Sequence, residues 1–558
     1  MMLTQTTRHQ FKTLLETAVF HLADLDQDAI IFVATGQEPA HVTRGELQTA
    51  VSRTAAALHH LDIQPRDLVI IAHTDILQTI VAFWGAMRVG AIPSIFPTLT
   101  EKLDPAGYMT NMQKLIQLSQ VRAVLTTNDF APQLQPHISC PVYPTTQLEM
   151  TEYGLRNIET TTKPADIAFL QHSSGTTGLQ KGVALSHRAV LNQLAAYADA
   201  LQLTADDVVM SWLPLYHDMG LIAGFLLPLT QGIPLVLMSP FDWVQHPALL
   251  FRAIDRYRGT LCWLPNFAYN HCARRIRQRD TDGLSLASMR SFINCSEPVR
   301  HDSHELFLQR FAHLGVIESM LGVSYAMAEN TFAVTQTPPG AIVNRDVVDR
   351  EPLEQQRTAV PFSQDGQVGI TNVSCGRPIA GTAVQVLDDS GNPLPERHIG
   401  EIAIQSSYML TKYYRRPDLQ PFINGWYRTG DLGYMANGEV YIVGRSKDLI
   451  INAGKNVFPQ DIEAIVNTVP GVHPGRVVAF GVPDEKEGTE LIVVVAEMET
   501  PADDSKALRR AIKQAVAQQS SVTVSYVKLV NSRRLIKTSS GKIARAANRK
   551  KWLEERGE

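Results

Sequence analysis

Between about residues 40 and 330, short apolar runs alternate with helical patterns, and this alternation restricts the chain more than any other feature. Thr43–Leu61 has apolar residues at helical spacing and Asp67–Ile71 reads as a strand. Ile76–Val89 reads as a helix, and Ala91–Phe96 and Val121–Leu125 as strands. Strands that are apolar on both faces must be covered on both, so repeated βα units predict an α/β fold of mostly parallel sheets flanked by helices. From about 370 to 445 the pattern becomes short alternating strands, Val384–Leu387, Gly400–Ile404 and Glu439–Val443, separated by Gly, Asp and Asn turns. That predicts a β-rich subdomain. A helix over Pro459–Val469, strands over Arg476–Phe480 and Leu491–Glu497, and a helix over Asp504–Gln518 then predict a small α+β module. With 558 residues the chain exceeds one ordinary core. The expected division is an N-terminal domain of residues 1–446, its β-rich subdomain at about 370–446, and a C-terminal domain of residues 447–558.

One loop stands out within the α/β region. Ser173, Ser174, Gly175, Thr176, Thr177 and Gly178 run together, with Lys181 and Gly182 just beyond. The apolar run Ile167–Leu170 precedes them and a helical pattern, Arg188–Leu201, follows. Glycines let backbone N–H groups face an anion, hydroxyls add donors and the ammonium adds charge, so such a loop can hold a polyphosphate. It does not match the Walker pattern. Taken alone it also fits a flexible surface turn.

Three further motifs follow in order: Trp426-Tyr-Arg-Thr-Gly-Asp-Leu432, Gly444-Arg-Ser-Lys-Asp448 and Lys537-Thr-Ser-Ser-Gly-Lys-Ile-Ala-Arg545. With the loop, they make nearly the whole chain resemble the adenylate-forming superfamily of acyl-CoA synthetases, nonribosomal-peptide adenylation domains and luciferases. The resemblance implies ATP and Mg²⁺ as cofactors and a small, mobile C-terminal domain. By the same resemblance, Ser173 to Gly178 and Lys181 bind phosphates. Ser296, Glu297 and Pro298 line the adenine, and Ser324, Tyr325, Ala326 and Met327 lie near the nucleotide. Ala326 stands where the family usually has Gly. Glu329 holds Mg²⁺, a hard cation suited to a carboxylate oxygen. Asp431 and Arg445 bind the ribose, Lys447 is the hinge and Lys542 is the catalytic lysine whose charge is needed at the transition state.

Two features narrow the resemblance. Leu213-Pro-Leu-Tyr-His-Asp-Met-Gly220 looks like fatty acyl-AMP ligases, which implies that His217 and Asp218 meet the acyl carboxylate. Trp263-Leu-Pro-Asn-Phe-Ala-Tyr269 resembles that subfamily's pocket wall, making Phe267 and Tyr269 candidate acyl contacts. The polar, helix-like segment Asn344–Thr371 resembles the insertion that separates fatty acyl-AMP ligases from fatty acyl-CoA ligases. The implied reaction is formation of acyl-AMP from a fatty acid, then transfer to the phosphopantetheine of an acyl carrier protein. An acyl-CoA synthetase shares every adenylation residue and is the alternative. A catalytically dead adenylate-binding scaffold is a rival of another class, against which Glu329, Asp431 and Lys542 count.

The formal net charge of −4 shows no basic excess to indicate nucleic acid, although basic residues cluster at Arg545–Lys551. Five cysteines without CxxC spacing imply neither a disulfide framework nor a zinc site, and point to a reducing cytoplasm. Met1–Leu14 lacks the apolar core of a signal peptide. Leu221–Met238, the most apolar stretch, is broken by Thr230-Gln-Gly and Pro234, so it reads as buried helix, turn and strand rather than a membrane span.

Overall fold

A computed structural model describes residues 11–21, 24–99, 105–149, 162–173, 181–363, 369–484, 489–499, 505–538 and 542–556. The chain forms two compact units. The first comprises residues 1–343, 376–383 and 405–423, and the second residues 344–375, 384–404 and 424–558.

The first unit is built on a nine-stranded sheet. Its centre is parallel, in the order Leu321–Ala326, Ser291–Asn294, Leu261–Leu264, Val209–Ser211, Leu235–Met238, Asp28–Val33. Antiparallel strands close both edges. A second, wholly parallel sheet joins Ile92–Ile95, Leu68–Ala72, Ala123–Thr126 and Val142–Pro144. The α/β fold expected from the apolar alternation is therefore the fold observed. Its helices begin where their caps are: Thr43 and Glu46 form a reciprocal capping box on Arg44–His60, and Asp75 caps Ile76–Arg88. The apolar stretch after Asp218 becomes a fully buried π-helix, Met219–Leu226, then Leu227–Gln231, a left-handed turn at Gly232 and the strand Leu235–Met238.

The glycine-rich stretch is not followed directly by a helix. Ile167–Ser173 and Lys181–Ser186 pair antiparallel, with Ser173 opposite Lys181, and the helix His187–Ala200 starts only afterwards.

In the second unit, Gly400–Ser406, Trp426–Ala436 and Glu439–Arg445 pair antiparallel in sequence order. The helix Pro459–Asn467 and a sheet ordered Val472–Asp484, Thr489–Met498, Tyr526–Val530 follow. Helix Ser505–Gln519 covers one face of that sheet through Leu508, Ile512 and Val516, and Trp552 covers the other. Compactness thus groups the β-rich strands with residues 447–558, and the expected division at Ser446–Lys447 falls inside the second unit.

The segment Asn344–Thr371 differs from its expected character. Among its described residues only Arg350–Gln355 is helical; Arg345–Asp349 pairs antiparallel with Gly369–Val373. Val348, Leu353 and Ala359 enter a core with Leu432, Tyr434, Tyr441, Val443 and Phe458. Val348, Leu353 and Ala359 together supply an apolar face that the polar composition conceals.

Candidate active site

In open parallel sheets ligands bind beyond the carboxyl ends of the strands. The candidate residues of the first unit gather there. Asn294 pairs in register with Leu264 on one side and Val323 on the other, so three strand ends are level. Beyond them lie Ser296–Pro298, the segment Pro265–Tyr269 and Ser324–Glu329. Val209–Ser211 leads into the turn carrying His217 and Asp218.

Glu329 sits in a single 3₁₀ turn, Ala328–Asn330, after the strand Leu321–Ala326. Its Oε1 accepts a hydrogen bond from the Tyr413 hydroxyl at 3.0 Å, and its carbonyl accepts from Leu410 N at 2.8 Å. Burial pushes the carboxyl above its usual range, Asp218 adds to that, and its hydrogen bonds and Lys181 partly oppose it. The Lys181 ammonium lies 5.0 Å from the centre of the Tyr413 ring. A bound cation would offset the cost of ionising this buried carboxylate. Among the described residues no cluster of three or more His, Cys, Asp and Glu could hold a metal. One carboxylate suits Mg²⁺, which takes its remaining ligands from phosphates and water. Ser173 lies on the strand that enters the loop, while Ser174 to Gly178 lie outside the described residues.

His217 Nδ1 is 2.6 Å from Asp218 Oδ1, and Asp218 also caps the π-helix through Met219 N at 2.8 Å. An Nδ1–H donated to the carboxylate fixes the orientation of the ring. Gly220 is required by this turn: a Cβ there would lie 2.3 Å from Pro214 O.

Ser296 has φ +71° and its hydroxyl lies against sulfur, 3.8 Å from Met219 Sδ. The Glu297 carboxylate accepts from Phe267 N at 3.0 Å, at the start of helix Asn266–Arg275, and Pro298 is exposed. A buried polar net supports this turn: Asn294 Nδ2 donates to Asn266 Oδ1 at 3.1 Å and lies 2.9 Å from His304 Nε2. Burial lowers the His304 pKa to about 4, which leaves that ring neutral and able to accept. The Ser324 hydroxyl donates to Thr335 O at 2.8 Å and Tyr325 N to Thr335 Oγ1 at 3.2 Å. The register shift of this hairpin falls between Tyr325 and Ala326, and Met327 N donates to Phe332 O. Phe267 is 41% exposed and packs edge-on against Trp212 and Trp243. Tyr269 is fully buried with its hydroxyl on Phe292 O at 3.0 Å, on the core side of the same helix.

In the second unit Asp431 is buried opposite the exposed Arg445, with Nε 3.0 Å from Oδ1. Glu401, which sequence reasoning missed, organises this turn. Its carboxylate accepts from Arg428 Nε at 2.7 Å and Gly430 N at 2.9 Å. Lys447 is exposed in the 3₁₀ turn Ser446–Asp448. On either side of residues 539–541, which lie outside the described residues, Thr538 N donates to Lys542 O at 2.7 Å and Lys537 bridges Ile543. The roles of Glu401 and Tyr413 left no sequence signal, since each acts on a partner 27 or 84 residues away.

A family model for AMP-binding enzymes matches residues 20–414, and one for the AMP-binding enzyme C-terminal domain matches residues 454–550. The chain belongs to the AMP-binding, adenylate-forming enzyme family. This adenylate-forming ligase is 35% identical over 412 residues to the medium-chain-fatty-acid–acyl-carrier-protein ligase JamA of Moorena producens, covering 70% of this chain and 68% of the other. It is 31% identical to the long-chain-fatty-acid–AMP ligase FadD26 of Mycobacterium marinum, with 87% and 86% covered. A solved structure from a study of the E. coli and L. pneumophila fatty acyl-adenylate ligases matches 98% of both chains at 26% identity and a TM-score of 0.88. Among the described residues of this adenylate-forming ligase, no helix is long and apolar enough to cross a membrane, and all five cysteines are buried thiols.

Proposed function

We propose that the protein is a cytoplasmic fatty acyl-AMP ligase that passes its product to the phosphopantetheine thiol of an acyl carrier protein. The observation that carries this reading is the buried Glu329 carboxylate beside Lys181 and Tyr413, in a chain similar over most of its length to ligases of those two descriptions.

A carboxylate oxygen of the acid attacks the α-phosphorus of ATP in line, the bond to the bridging oxygen breaks and pyrophosphate leaves. Ser173 to Gly178 and Lys181 would bind the phosphates, and Glu329 would hold Mg²⁺, which neutralises charge on them. Tyr325 and the turn Ser296–Pro298 would hold the adenine, and Asp431 with Arg445 the ribose. His217 would lie beside the acyl carboxylate, its ring fixed by Asp218. Lys542 would neutralise charge on the pentavalent phosphorus. In the second step the thiolate attacks the acyl carbonyl, the C–S bond forms, the mixed-anhydride C–O bond breaks and AMP leaves. No enzyme nucleophile is needed.

Contacts of the segment Asn344–Thr371 support a carrier protein over coenzyme A. The Glu354 carbonyl accepts from Asn456 Nδ2 at 2.9 Å, and its carboxylate accepts from the Ser521 hydroxyl. These bonds tie the inserted helix to residues beyond the hinge. A carrier protein can offset such a tether with surface contacts that free coenzyme A lacks. The test incubates enzyme, ATP and Mg²⁺ with a panel of fatty acids, then adds coenzyme A or holo carrier protein and resolves acyl-AMP from thioester. Acyl-AMP that turns over only with carrier protein is expected. Rapid acyl-CoA formation would move the protein to the acyl-CoA synthetases.

A further inference from the structure

We propose that Arg545 is a positioning residue whose guanidinium bolts the hinge turn to the body carrying Lys542, so that the turn and Lys542 move as one piece. The inference rests on the proposed roles of Lys447 and Lys542. Arg545 Nη1 lies 2.7 Å from Asp448 Oδ2, Nη2 lies 2.8 Å from Glu463 Oε1, and Nε donates to Ala479 O at 2.9 Å. These acceptors sit on three elements: the turn Ser446–Asp448, the helix Pro459–Asn467 and the strand Val472–Asp484. Glu463 Oε1 also accepts from Ala479 N at 2.9 Å, which closes the net. Arg545 opens the helix Arg545–Arg556, three residues after Lys542, whose carbonyl accepts from Thr538 N. The side chains of Arg545, Asp448 and Glu463 are only 21%, 19% and 17% exposed. Burial disfavours the charged guanidinium, yet the two carboxylates outweigh it and hold the pKa above the usual value.

The geometry has a consequence for the pivot. Rotation at residue 448 or later breaks the Asp448–Arg545 bond; rotation at Ser446 and Lys447 leaves it intact. The bond therefore confines the pivot to the two residues before Asp448 and makes the path to Lys542 rigid. A lysine at 545 cannot reach three acceptors as a planar fork does. Without the bolt, residue 448 adds its own dihedrals to the hinge and the placement of Lys542 spreads.

Three variants separate this role from ordinary stabilisation. Asp448→Ala and Arg545→Lys remove or weaken the hinge bond, while Glu463→Gln weakens the net without touching the turn. At a temperature where all three are folded, the first two should lower kcat for pyrophosphate release about tenfold to a hundredfold with ATP KM unchanged, because misplacement of about 1 Å costs about 10². Glu463→Gln should lose thermal stability but keep its kcat. Hydrogen exchange supplies a readout independent of activity. The Leu449 amide, bonded to Arg445 O at 3.1 Å, should exchange faster in Asp448→Ala and Arg545→Lys and at the wild-type rate in Glu463→Gln. Equal effects of all three variants, or unchanged exchange in Asp448→Ala, would overturn the proposal. A wild-type protein that releases no pyrophosphate with any acid would instead overturn the functional reading, and the exchange comparison would then decide the bolt by itself.

Discussion

Replacing Gly220 with alanine tests how tightly the fold holds His217. The added Cβ would lie 2.3 Å from Pro214 O and 2.9 Å from Pro214 C, against a limit near 3.0 Å for real contacts. Both clashing atoms are backbone, so no side chain can rotate away. The π-helix is packed on every side, with Met219 to Leu226 all buried, so the turn Pro214–His217 must give by about 0.7 Å. That turn is closed by His217 N donating to Pro214 O at 3.1 Å, so the displacement carries the imidazole with it. Misplacement of about 1 Å costs about 10² in rate, so 0.7 Å should cost about tenfold to a hundredfold. Overpacking should also lower stability by about 1–3 kcal/mol. The assay is pyrophosphate release at saturating ATP with the acid varied, below the melting temperature of the variant. The expected result is a reduced kcat with ATP KM unchanged. Gly224→Ala is the control in the same helix. Its Cβ meets the Ser211 hydroxyl at 2.5 Å, a group that can rotate, so it should lose stability and keep its rate. A folded Gly220→Ala with wild-type kcat, or equal loss in Gly224→Ala, would refute the role of this packing.

Lys542→Ala should leave the melting temperature unchanged and slow adenylation by about 10²–10³, the usual effect of losing one transition-state donor; wild-type pyrophosphate release would exclude the role. Glu401→Ala should raise ATP KM more than it lowers kcat. It strips acceptors from Arg428 and Gly430 N and loosens Asp431, where a hydrogen bond to a charged group is worth about 1.5–3 kcal/mol. An ATP KM equal to wild type would show that Glu401 does not support the nucleotide. The raised Glu329 pKa sets a pH dependence. Cation binding needs the ionised carboxylate, so kcat/KM should fall as pH drops through a value above the usual carboxylate range. Tyr413→Phe removes a bond that favours the charged form and should move this acid limb to higher pH; a limb that stays in place would refute the contact. The stability of the nucleotide-free protein should run the other way. The contribution of Glu329 is fully present below its unfolded pKa and lost as pH rises through the folded one.

Local pattern determined much of this protein before any tertiary contact is considered. Apolar spacing with a period of 3.6 placed the helices Arg44–His60, Ile76–Arg88 and Pro459–Asn467 within a few residues, because a helix buries one face. The break at Gly232 and Pro234 marked the fold-back after the buried helix for the same reason. Glu329, Asp431 and Lys542 stood out through their motifs' resemblance to the family, and the family itself is the part of that reading the comparisons bear out. Tertiary structure decided what short spacing cannot carry. The expected strand Arg476–Phe480 extends to Val472–Asp484, since pairing with Thr489–Met498 tolerates Pro474 and Gly475 at a register shift. Phe267 and Tyr269 are two residues apart, yet one is exposed and the other reaches the core, a split set by the helix face that meets the sheet. Glu401, Tyr413 and Arg545 are ordinary residues in the sequence. Each acquires its role only from a partner that folding brings within 3 Å: Gly430, Glu329 and Asp448 respectively.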